Sequence, residues 1–282
     1  MNTTTLKLAD IGPAPDESAC DAGLDKRIVG ERSRANLLHF IHRFGWLTSR
    51  MCAALVWTSA AQGWPMARRT LKAMLEEGLL IKRAVPGSGT DAYLLSAKGA
   101  RLLRDMTGAE ASSGQSMTLG NPVHRACSNW ALIDAITQGC EVVTEHEIAA
   151  DRAAVRVIDG KVPDGLVLYA GGDASFLEVE NSWKAAKGRE AIATFCSRHL
   201  DQQTMTQVAP EHWLRKVQVV TTNMDALRHL SGTFLNSFRA GMLTEGQLQM
   251  IDVTLMPVTP SLVAGERVHG NLWLDVLLPH LQ

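Results

Sequence analysis

Hydrophobic positions in the first part of the chain recur at helical spacing in three successive segments. Residues 33–44 have this pattern and predict a helix that Gly45 ends. Thr48 is a favourable N-cap for a second helix, which continues through Val56. A third helix is predicted from Pro65 to Glu77, because proline is favoured in the first turn and the apolar positions that follow fall on one face. The pattern therefore predicts three short helices in succession.

Two apolar runs follow the third helix and are separated by turn residues. Residues 79–85 and 92–96 predict two strands, and residues 86–91, P-G-S-G-T-D, predict the turn between them. Helical spacing resumes over residues 97–106. Three helices and a hairpin are the element order of a winged helix-turn-helix domain. The phrase YLLSAKGARLL resembles the wing exit and fourth helix of bacterial winged-helix regulators.

Charge is distributed unevenly along the chain. Residues 26–104 contain 14 Lys and Arg against 4 Asp and Glu, whereas the whole chain has a formal net charge of −1. This asymmetry favours contact between the basic half and a polyanion. In a winged-helix domain the third helix enters the major groove and the wing meets the backbone or the minor groove. The candidate DNA-binding residues are therefore Arg68, Arg69, Lys72, Lys82 and Arg83, with ordinary solvated charges as the alternative interpretation.

A stretch rich in Gly and Ser, residues 107–120, is predicted to be an interdomain linker. The pattern beyond it predicts a helix, three strands, a helix, a strand, a helix and a strand. The first of these helices covers residues 122–137, and residues 142–148 are predicted to form a strand that runs into a turn. This alternation predicts a layered α/β domain with a mixed sheet.

The most distinctive stretch of this second region is Val162–Lys184, which has the pattern of two strands joined by a tight turn at the G-G-D of residues 171–173. Asp164 begins the first strand, and Glu178 and Glu180 share a face of the second. Clustered carboxylates raise one another's pKa unless a cation lies among them. Oxygen ligands of this kind suit Mg²⁺ or Mn²⁺, so we expect a metal site here. The alternative is a structural hairpin with a solvated acidic end.

The order Pro163-Asp164, hairpin, Glu178-x-Glu180 resembles the motif of the PD-(D/E)XK nuclease superfamily. The sequence departs from that motif at Glu180, where the superfamily pattern has a lysine. The nearest lysines are Lys184 and Lys187 on the following segment, and some members of the superfamily carry the lysine on that helix.

A closer resemblance is to the replication-relaxation family of plasmid and mobile-element proteins, which join a winged helix to a diverged nuclease-like domain with a PD…E-x-(D/E) stretch. It covers most of the chain after about Arg32. The resemblance implies the catalytic residues Asp164, Glu178, Glu180, Lys184 and Lys187. It also implies Glu145 as a metal ligand additional to the three hairpin carboxylates, with Glu147 as the alternate because strand parity gives both the same face.

These patterns predict an α+β chain in four parts. Residues 1–25 form a disordered arm, and residues 26–106 form a winged helix-turn-helix DNA-binding domain. Residues 107–120 are the linker, and residues 121–282 form a PD-(D/E)XK nuclease-like domain, which is an α/β restriction-endonuclease-like fold with a mixed central sheet.

The expected function is DNA binding by a plasmid or mobile-element protein whose winged helix targets a domain that cleaves phosphodiester bonds with Mg²⁺. Two alternatives stay open. One is a non-catalytic regulator of replication, transfer or transcription with a degenerate nuclease-like domain, and the other is a winged-helix protein that binds only protein partners. The partners considered are double-stranded DNA, a second copy of the chain in a homodimer, and proteins that bind the C-terminal domain.

Cysteine and hydropathy patterns argue against several protein classes. The five cysteines are scattered without a CxxC pair, which disfavours zinc ribbons and disulfide frameworks and fits a reducing cytoplasm. No apolar run approaches the roughly 18 residues of a membrane span, and the N-terminus lacks the pattern of a secretory signal. We therefore expect a cytoplasmic protein.

Overall fold

The computed structural model of the chain describes residues 25–58, 61–180, 186–201 and 205–270, with only the backbone at 186, 187 and 270. These residues form two compact units. The first contains the chain up to Pro122 together with Ile136–Gly139 and Pro260–Leu262, and the second contains the remainder. Almost all of the predicted arm, residues 1–24, lies outside the described residues.

The first unit consists of helices and one hairpin, which confirms the predicted element order. Helix α1 begins seven residues earlier than the pattern predicted, because the Asp25 carboxylate accepts a hydrogen bond from the backbone N–H of Arg27 (3.0 Å) and caps the helix. The elements are α1 (Lys26–Phe44), α2 (Ser49–Val56), α3 (Gly63–Glu76), β1 (Leu80–Ala84), β2 (Asp91–Leu95) and α4 (Ala97–Thr107).

The segment before α2 fixes that helix to the hairpin. Thr48 caps α2, since its hydroxyl accepts a hydrogen bond from the N–H of Met51 (3.3 Å). Leu47 exchanges two backbone hydrogen bonds with Tyr93 of β2, at 3.2 and 2.8 Å. Leu47 therefore adds a third, short extended segment beside the two strands of the hairpin. The apolar core of this unit includes Phe44, Trp46, Leu71, Met74 and Leu94, each almost fully buried.

Part of the predicted linker packs against the hairpin. The N–H of Gly114 donates to the carbonyl of Leu95 (3.0 Å), and Ala111 is buried. The Arg83 guanidinium donates to the carbonyls of Gln115 and Met117. Residues 111–117 are thus attached to β1 and β2 through both backbone and side-chain hydrogen bonds.

The second unit is built around a mixed sheet of seven strands, in agreement with the predicted class. Its helices are α5 (Pro122–Thr137), α6 (Glu145–Ala149), α7 (Ala186–His199), α8 (Met224–Arg239) and α9 (Glu245–Gln249). Its strands are β3 (Glu141–Thr144), β4 (Gly165–Leu168), β5 (Asp173–Glu180), β6 (Gln207–Ala209), β7 (His212–Thr221), β8 (Ile251–Leu255) and β9 (Val268–Gly270). None of the helices in the described ranges has the length and apolar character needed to cross a membrane.

The sheet combines an antiparallel half with a parallel half. Its order is β3-β4-β5-β7-β8-β9, and β6 pairs with the start of β7. The β3, β4 and β5 strands are antiparallel neighbours, β5, β7 and β8 are parallel, and β9 is antiparallel to β8. Both faces of β5 are buried, as expected for a strand at the centre of a covered sheet.

Helices cover both faces of this sheet. Leu166 and Phe176 are cross-strand partners on one face, where Phe176 packs against Phe195 of α7 with ring centroids 5.0 Å apart. The opposite face carries Gly165, where a Cβ would lie 2.9 Å from the side chain of Leu132 in α5. The second unit is therefore three-layered, with α5 on one side and α7 on the other.

The hairpin predicted at residues 171–173 is confirmed. The N–H of Tyr169 donates to the carbonyl of Asp173 (2.9 Å), which closes the loop between β4 and β5. Gly171 and Gly172 have φ of 99° and 90°, a region that glycine enters without steric cost. A side chain at Gly172 would also approach the carbonyl of Glu211 to 2.8 Å.

The strand predicted through residue 148 ends early, at Thr144. A capping box begins α6 there: the Thr144 hydroxyl accepts from the N–H of Glu147 (3.1 Å), and the Glu147 carboxylate accepts from the N–H of Thr144 (2.9 Å). The prediction that Glu145 and Glu147 share a strand face was therefore wrong, because both residues belong to a helix. Glu147, the alternate ligand, serves as the cap.

Among the described glycines of the first unit, Gly99 has the closest backbone neighbour. A Cβ at Gly99 of α4 would lie 2.1 Å from the carbonyl oxygen of Leu79. We expect Gly99→Ala to lower the free energy of unfolding by about 1–3 kcal/mol, because the backbone must shift to relieve the clash. Urea unfolding would measure this change.

The matched control is Gly30→Ala in α1, where a Cβ meets nothing within 4 Å. This substitution should raise the free energy of unfolding by about 0.5–1 kcal/mol, since alanine has the higher helix propensity. A Gly99→Ala protein as stable as the Gly30→Ala protein would contradict the close packing of α4 on the Leu79 backbone.

Candidate metal centre and basic helix face

Asp164 is held in place by two elements of the second unit. Its backbone N–H donates to the carbonyl of Leu177 (2.9 Å), and its carboxylate accepts from the N–H of Val179 (2.8 Å). Its own carbonyl accepts from the hydroxyl of Ser128 in α5 (2.7 Å). The start of β4 is thereby attached to β5 and to α5, and the carboxylate has a fixed orientation.

Three side chains from different elements meet at this point. His124 comes from the first turn of α5, Glu145 begins α6, and Asp164 precedes β4. One ligand atom from each lies within 4.8 Å of the other two, and His124 Nε2 is 3.4 Å from Asp164 Oδ2. Ligands of a first-row divalent ion lie about 2.0–2.2 Å from the metal, so small side-chain adjustments would let this group hold one ion. The arrangement is a His/Glu/Asp triad that can bind a metal.

The carboxylates of the triad also have cationic neighbours within the protein. Arg125 Nη1 lies 2.7 Å from Glu145 Oε2, and the Arg125 side chain is only 13% exposed. Asp164 has His124 as its neighbour. A bound metal would therefore compete with positive charges that the protein already supplies.

The pKa of His124 is raised above its ordinary value. The main cause is the hydrogen bond to Asp164, which burial of the ring opposes. The negative charges of Asp164, Glu145 and Glu178 add to the increase. The protonated form of His124 is thus favoured in the folded protein.

Glu178, predicted as a ligand, has a lysine as its partner. Lys161 Nζ lies 2.8 Å from Glu178 Oε1, and the Glu178 side chain is 8% exposed. The same ammonium group is 5.9 Å from the ring centre of Phe176 and 6.0 Å from that of Phe195. A buried carboxylate of this kind needs a cationic partner, and Lys161 provides it.

A two-residue turn positions Lys161. Ile158 and Lys161 exchange backbone hydrogen bonds of 3.2 and 2.8 Å across Asp159 and Gly160, whose φ values are 50° and 76°. An Asp-Gly pair with both φ positive is the preferred composition of such a turn. The lysine therefore reaches Glu178 from the loop before β4 rather than from β5 or α7.

The remaining predicted residues of this site are Glu180, Lys184 and Lys187. Glu180 ends β5, is 3% exposed and pairs in register with Thr221 of β7. Within the described ranges, the triad contains neither Glu178 nor Glu180. Lys184 lies outside the described residues, and so does the side chain of Lys187.

Two important residues of this site were not predicted as such. His124 was not among the predicted ligands, because no sequence spacing connects α5 to Asp164. Lys161 had a signal that could have been used, since the preceding Asp-Gly pair marks a hairpin three residues before Asp164.

The first unit presents the predicted basic residues of α3 to solvent. Arg68, Arg69 and Lys72 are exposed, whereas Ala67 and Leu71 on the opposite side are buried. This helix has the division of polar and apolar faces expected of a surface helix that packs on one side and faces solvent on the other.

The two predicted residues of the hairpin have partners inside the first unit. Lys82 Nζ lies 3.2 Å from Asp91 Oδ2 on the facing strand. Arg83 donates its hydrogen bonds to the carbonyls of residues 115 and 117. Arg83 thus anchors the segment after α4, and its guanidinium is less available to DNA than those of α3.

The raised pKa of His124 predicts a pH-dependent contribution to stability. The pKa of His124 in the folded protein lies above its unfolded value of about 6.5. The protonated ring therefore stabilises the fold fully at pH values below about 6.5, and this stabilisation is lost as pH rises through the folded pKa. In a buffer with a metal chelator, His124→Gln should therefore lower the free energy of unfolding more at about pH 6 than at about pH 9. Urea unfolding at both pH values would measure the difference.

Ser231→Ala, within α8, changes no titratable group and is the control, which should give no such pH-dependent difference. The same loss at both pH values for His124→Gln would show that the ion pair with Asp164 does not form in solution.

Comparison with known proteins identifies no relative of this chain. No model of a protein family matches the chain. Neither the search of curated proteins nor the search of solved structures found a match. Family and activity are therefore inferred from the residues and contacts described above.

Proposed function

We propose that this chain is a duplex-DNA-binding protein of a plasmid or other mobile element, similar to the replication-relaxation family. In this proposal the first unit is a winged helix-turn-helix domain and the second a PD-(D/E)XK-like domain. The observation that carries the proposal is the exposed basic face of α3, formed by Arg68, Arg69 and Lys72. Duplex DNA has a dense row of phosphates, and its major groove accepts one α-helix.

The contacts of the first unit support this assignment. Three helices, a hairpin and a fourth helix follow one another, and the Leu47–Tyr93 backbone pairing adds a third extended segment to the hairpin. A winged helix-turn-helix domain has these parts in this order. The buried side of α3 packs into the core and leaves its basic side available for DNA.

The basic face predicts a salt-dependent affinity for duplex DNA. The full chain should bind a labelled duplex in fluorescence anisotropy, with affinity falling steeply as salt rises, because Lys and Arg displace condensed counterions. Arg68→Ala and Arg69→Ala should each weaken binding. If one of the two arginines contacts guanine, its replacement should cost about 1–3 kcal/mol of binding free energy.

Arg101→Ala is the control, because it removes the same charge from an exposed position of α4. Equal losses at all three positions would mean that α3 does not enter the groove. Absence of binding by the wild-type chain at low salt would refute the proposed function itself.

Element order and acidic residues of the second unit support a nuclease-like assignment. A helix, an antiparallel meander of three strands, a second helix and a parallel strand are the order of the restriction-endonuclease-like core. Asp164 precedes the middle strand of the meander and Glu178 lies on its last strand. These positions agree with the PD and (D/E)XK parts of the superfamily motif.

The donor atoms of the triad bear on the choice of metal. Mg²⁺ takes oxygen ligands, whereas an imidazole suits transition ions. The triad of two carboxylates and the His124 ring therefore favours Mn²⁺ over Mg²⁺. We propose that His124, Glu145 and Asp164 hold this ion.

The chain's own residues have distinct roles in the proposed cleavage. When bound, the ion would polarise the scissile phosphate and lower the pKa of a water molecule. Asp164 would orient that site through its fixed carboxylate. Lys161 would supply, beside Glu178, the positive charge that the motif lysine provides in the superfamily, and it would stabilise the negative charge of the transition state.

One observation favours the second candidate function, a DNA-binding regulator without catalysis. The carboxylates at the site have protein cations beside them: Arg125 beside Glu145, His124 beside Asp164 and Lys161 beside Glu178. A site balanced in this way is stable without a metal. In that case the second unit would contribute structure or contacts with protein partners.

A metal and cleavage experiment separates the two functions. We expect Mn²⁺ to raise the melting temperature of the wild-type protein, because a ligand bound only by the folded state stabilises it. Supercoiled plasmid should be nicked or linearised with Mn²⁺ and stay intact with EDTA. Asp164→Asn should remove both effects, since asparagine keeps an acceptor for the Val179 N–H but lacks the charge.

Lys161→Met tests the role of the lysine. The variant should still bind Mn²⁺, but its cleavage rate should fall by a factor of about 10²–10³, which is the effect of removing one donor that stabilises the transition state. Lys216→Met, which breaks the ion pair with Asp252 on the same sheet, is the matched control and should cleave normally. Intact plasmid and an unchanged melting temperature with Mn²⁺, together with DNA binding, would establish the non-catalytic candidate.

A further inference from the structure

An aromatic ring on the first unit has two guanidinium groups beside it. The Arg50 guanidinium carbon lies 3.7 Å from the centre of the Trp64 ring, and that of Arg68 lies 5.2 Å from it. Arg50 is the second residue of α2, and Trp64 and Arg68 are one turn apart on α3. We call these three residues the Trp64 cluster.

The indole of Trp64 has a fixed position. Its Nε1–H donates to the hydroxyl of Ser49 in α2 (3.2 Å), so one hydrogen bond ties the ring to the neighbouring helix. The ring is half-buried, and Arg50 and Arg68 are exposed. The cluster therefore consists of a rigid aromatic surface that holds two solvent-facing cations.

Several other cations of the first unit have a carboxylate partner. Arg34 pairs with Glu77, Lys82 with Asp91 and Lys72, at the longer distance of 3.8 Å, with Glu76. By contrast, Arg50 and Arg68 form no ion pair with a carboxylate anywhere in the described part of the chain. Two like charges at one ring repel each other, and each gains only a small stabilisation from an exposed cation–π contact. Their charge is therefore available to an anion.

Stacking on the ring also lowers the entropy that binding would cost. An arginine side chain loses much of its conformational freedom when it is immobilised. Arg50, stacked at 3.7 Å, has already lost part of this freedom in the unbound protein. Its planar fork of donors remains suited to two phosphate oxygens.

We propose that the Trp64 cluster is a second DNA contact beside the exposed face of α3. In this contact Arg50 binds a backbone phosphate, Arg68 reaches into the groove from α3, and Trp64 is the positioning residue for both. The inference rests on the proposed DNA binding and extends it from one helix to the pair α2 and α3. It assigns Trp64, which is half-buried and uncharged, a measurable role in the affinity for duplex DNA.

The test uses the full chain and fluorescence anisotropy with a labelled DNA duplex over a series of salt concentrations. Arg50→Ala should lower the affinity about fivefold or more and reduce the slope of log affinity against log salt by about one, the effect of losing one phosphate contact. Arg50→Lys should restore the slope but recover the affinity only in part, because lysine keeps the charge but not the stacked fork. Arg101→Ala on α4 should change the affinity less than Arg50→Ala.

The role of Trp64 is tested by a double-mutant cycle. Trp64→Leu changes no charge, yet it should lower the affinity and the salt slope in the same direction as Arg50→Ala. Its effect should shrink when Arg50 is already alanine, since the two residues act through one contact. Circular dichroism and thermal melting identify the folded variants, and the Arg50 variants, changed only at an exposed position, test the contact even if Trp64→Leu unfolds.

Two results would overturn the inference while leaving DNA binding in place. One is wild-type affinity and slope for Arg50→Ala, which would make the stack purely structural. The other is equal affinity of the wild-type chain for an RNA duplex of the same sequence, because the deep, narrow major groove of RNA does not admit a helix. If the wild-type chain binds no DNA duplex, the proposed function fails and the inference fails with it.

Discussion

The second unit depends on the way one aspartate joins its layers. The Asp164 carboxylate replaces a strand partner for the N–H of Val179, and its carbonyl binds Ser128 of the covering helix. Buried backbone groups must find partners, so this aspartate is needed for the end of the β4–β5 hairpin whether or not a metal binds. The same constraint fixes the carboxylate next to His124 and Glu145. Structure and candidate chemistry therefore share one residue.

Charge balance governs what this site can do. Acidic residues that are brought together destabilise a fold unless positive charge accompanies them, and this protein supplies it with an arginine, a histidine and a lysine. Each of these cations can be displaced or used. In the proposed cleavage the imidazole exchanges its proton for a metal, whereas Lys161 stays in place and stabilises a phosphate. The non-catalytic alternative corresponds to the same cations acting only as counter-charges.

The fold was more predictable from sequence than the site. Period and turn chemistry gave the helices of the first unit and the hairpin at Gly171 and Gly172, because those signals are local. The strand prediction for residues 142–148 failed beyond Thr144, where a capping box, which is itself a local signal, begins a helix. The partnership of His124 with Asp164 joins residues far apart in sequence, so no window of sequence contains it. Arg83 was predicted to bind DNA because of its charge and its place on the wing strand, and its bonds to two carbonyls could be seen only in the structure.

The mixed sheet also determines the order in which its parts can assemble. The β4–β5 hairpin closes over a short loop, whereas the parallel pairing of Glu180 with Thr221 must first bring together distant parts of the chain. Closing a longer loop costs more entropy, and such non-local pairings slow folding. The hairpin that holds Asp164 can therefore form early during synthesis. Glu178 and Glu180 both pair with β7 and reach their buried positions only after it has emerged, so a nascent chain leaves these two carboxylates exposed after the hairpin has formed.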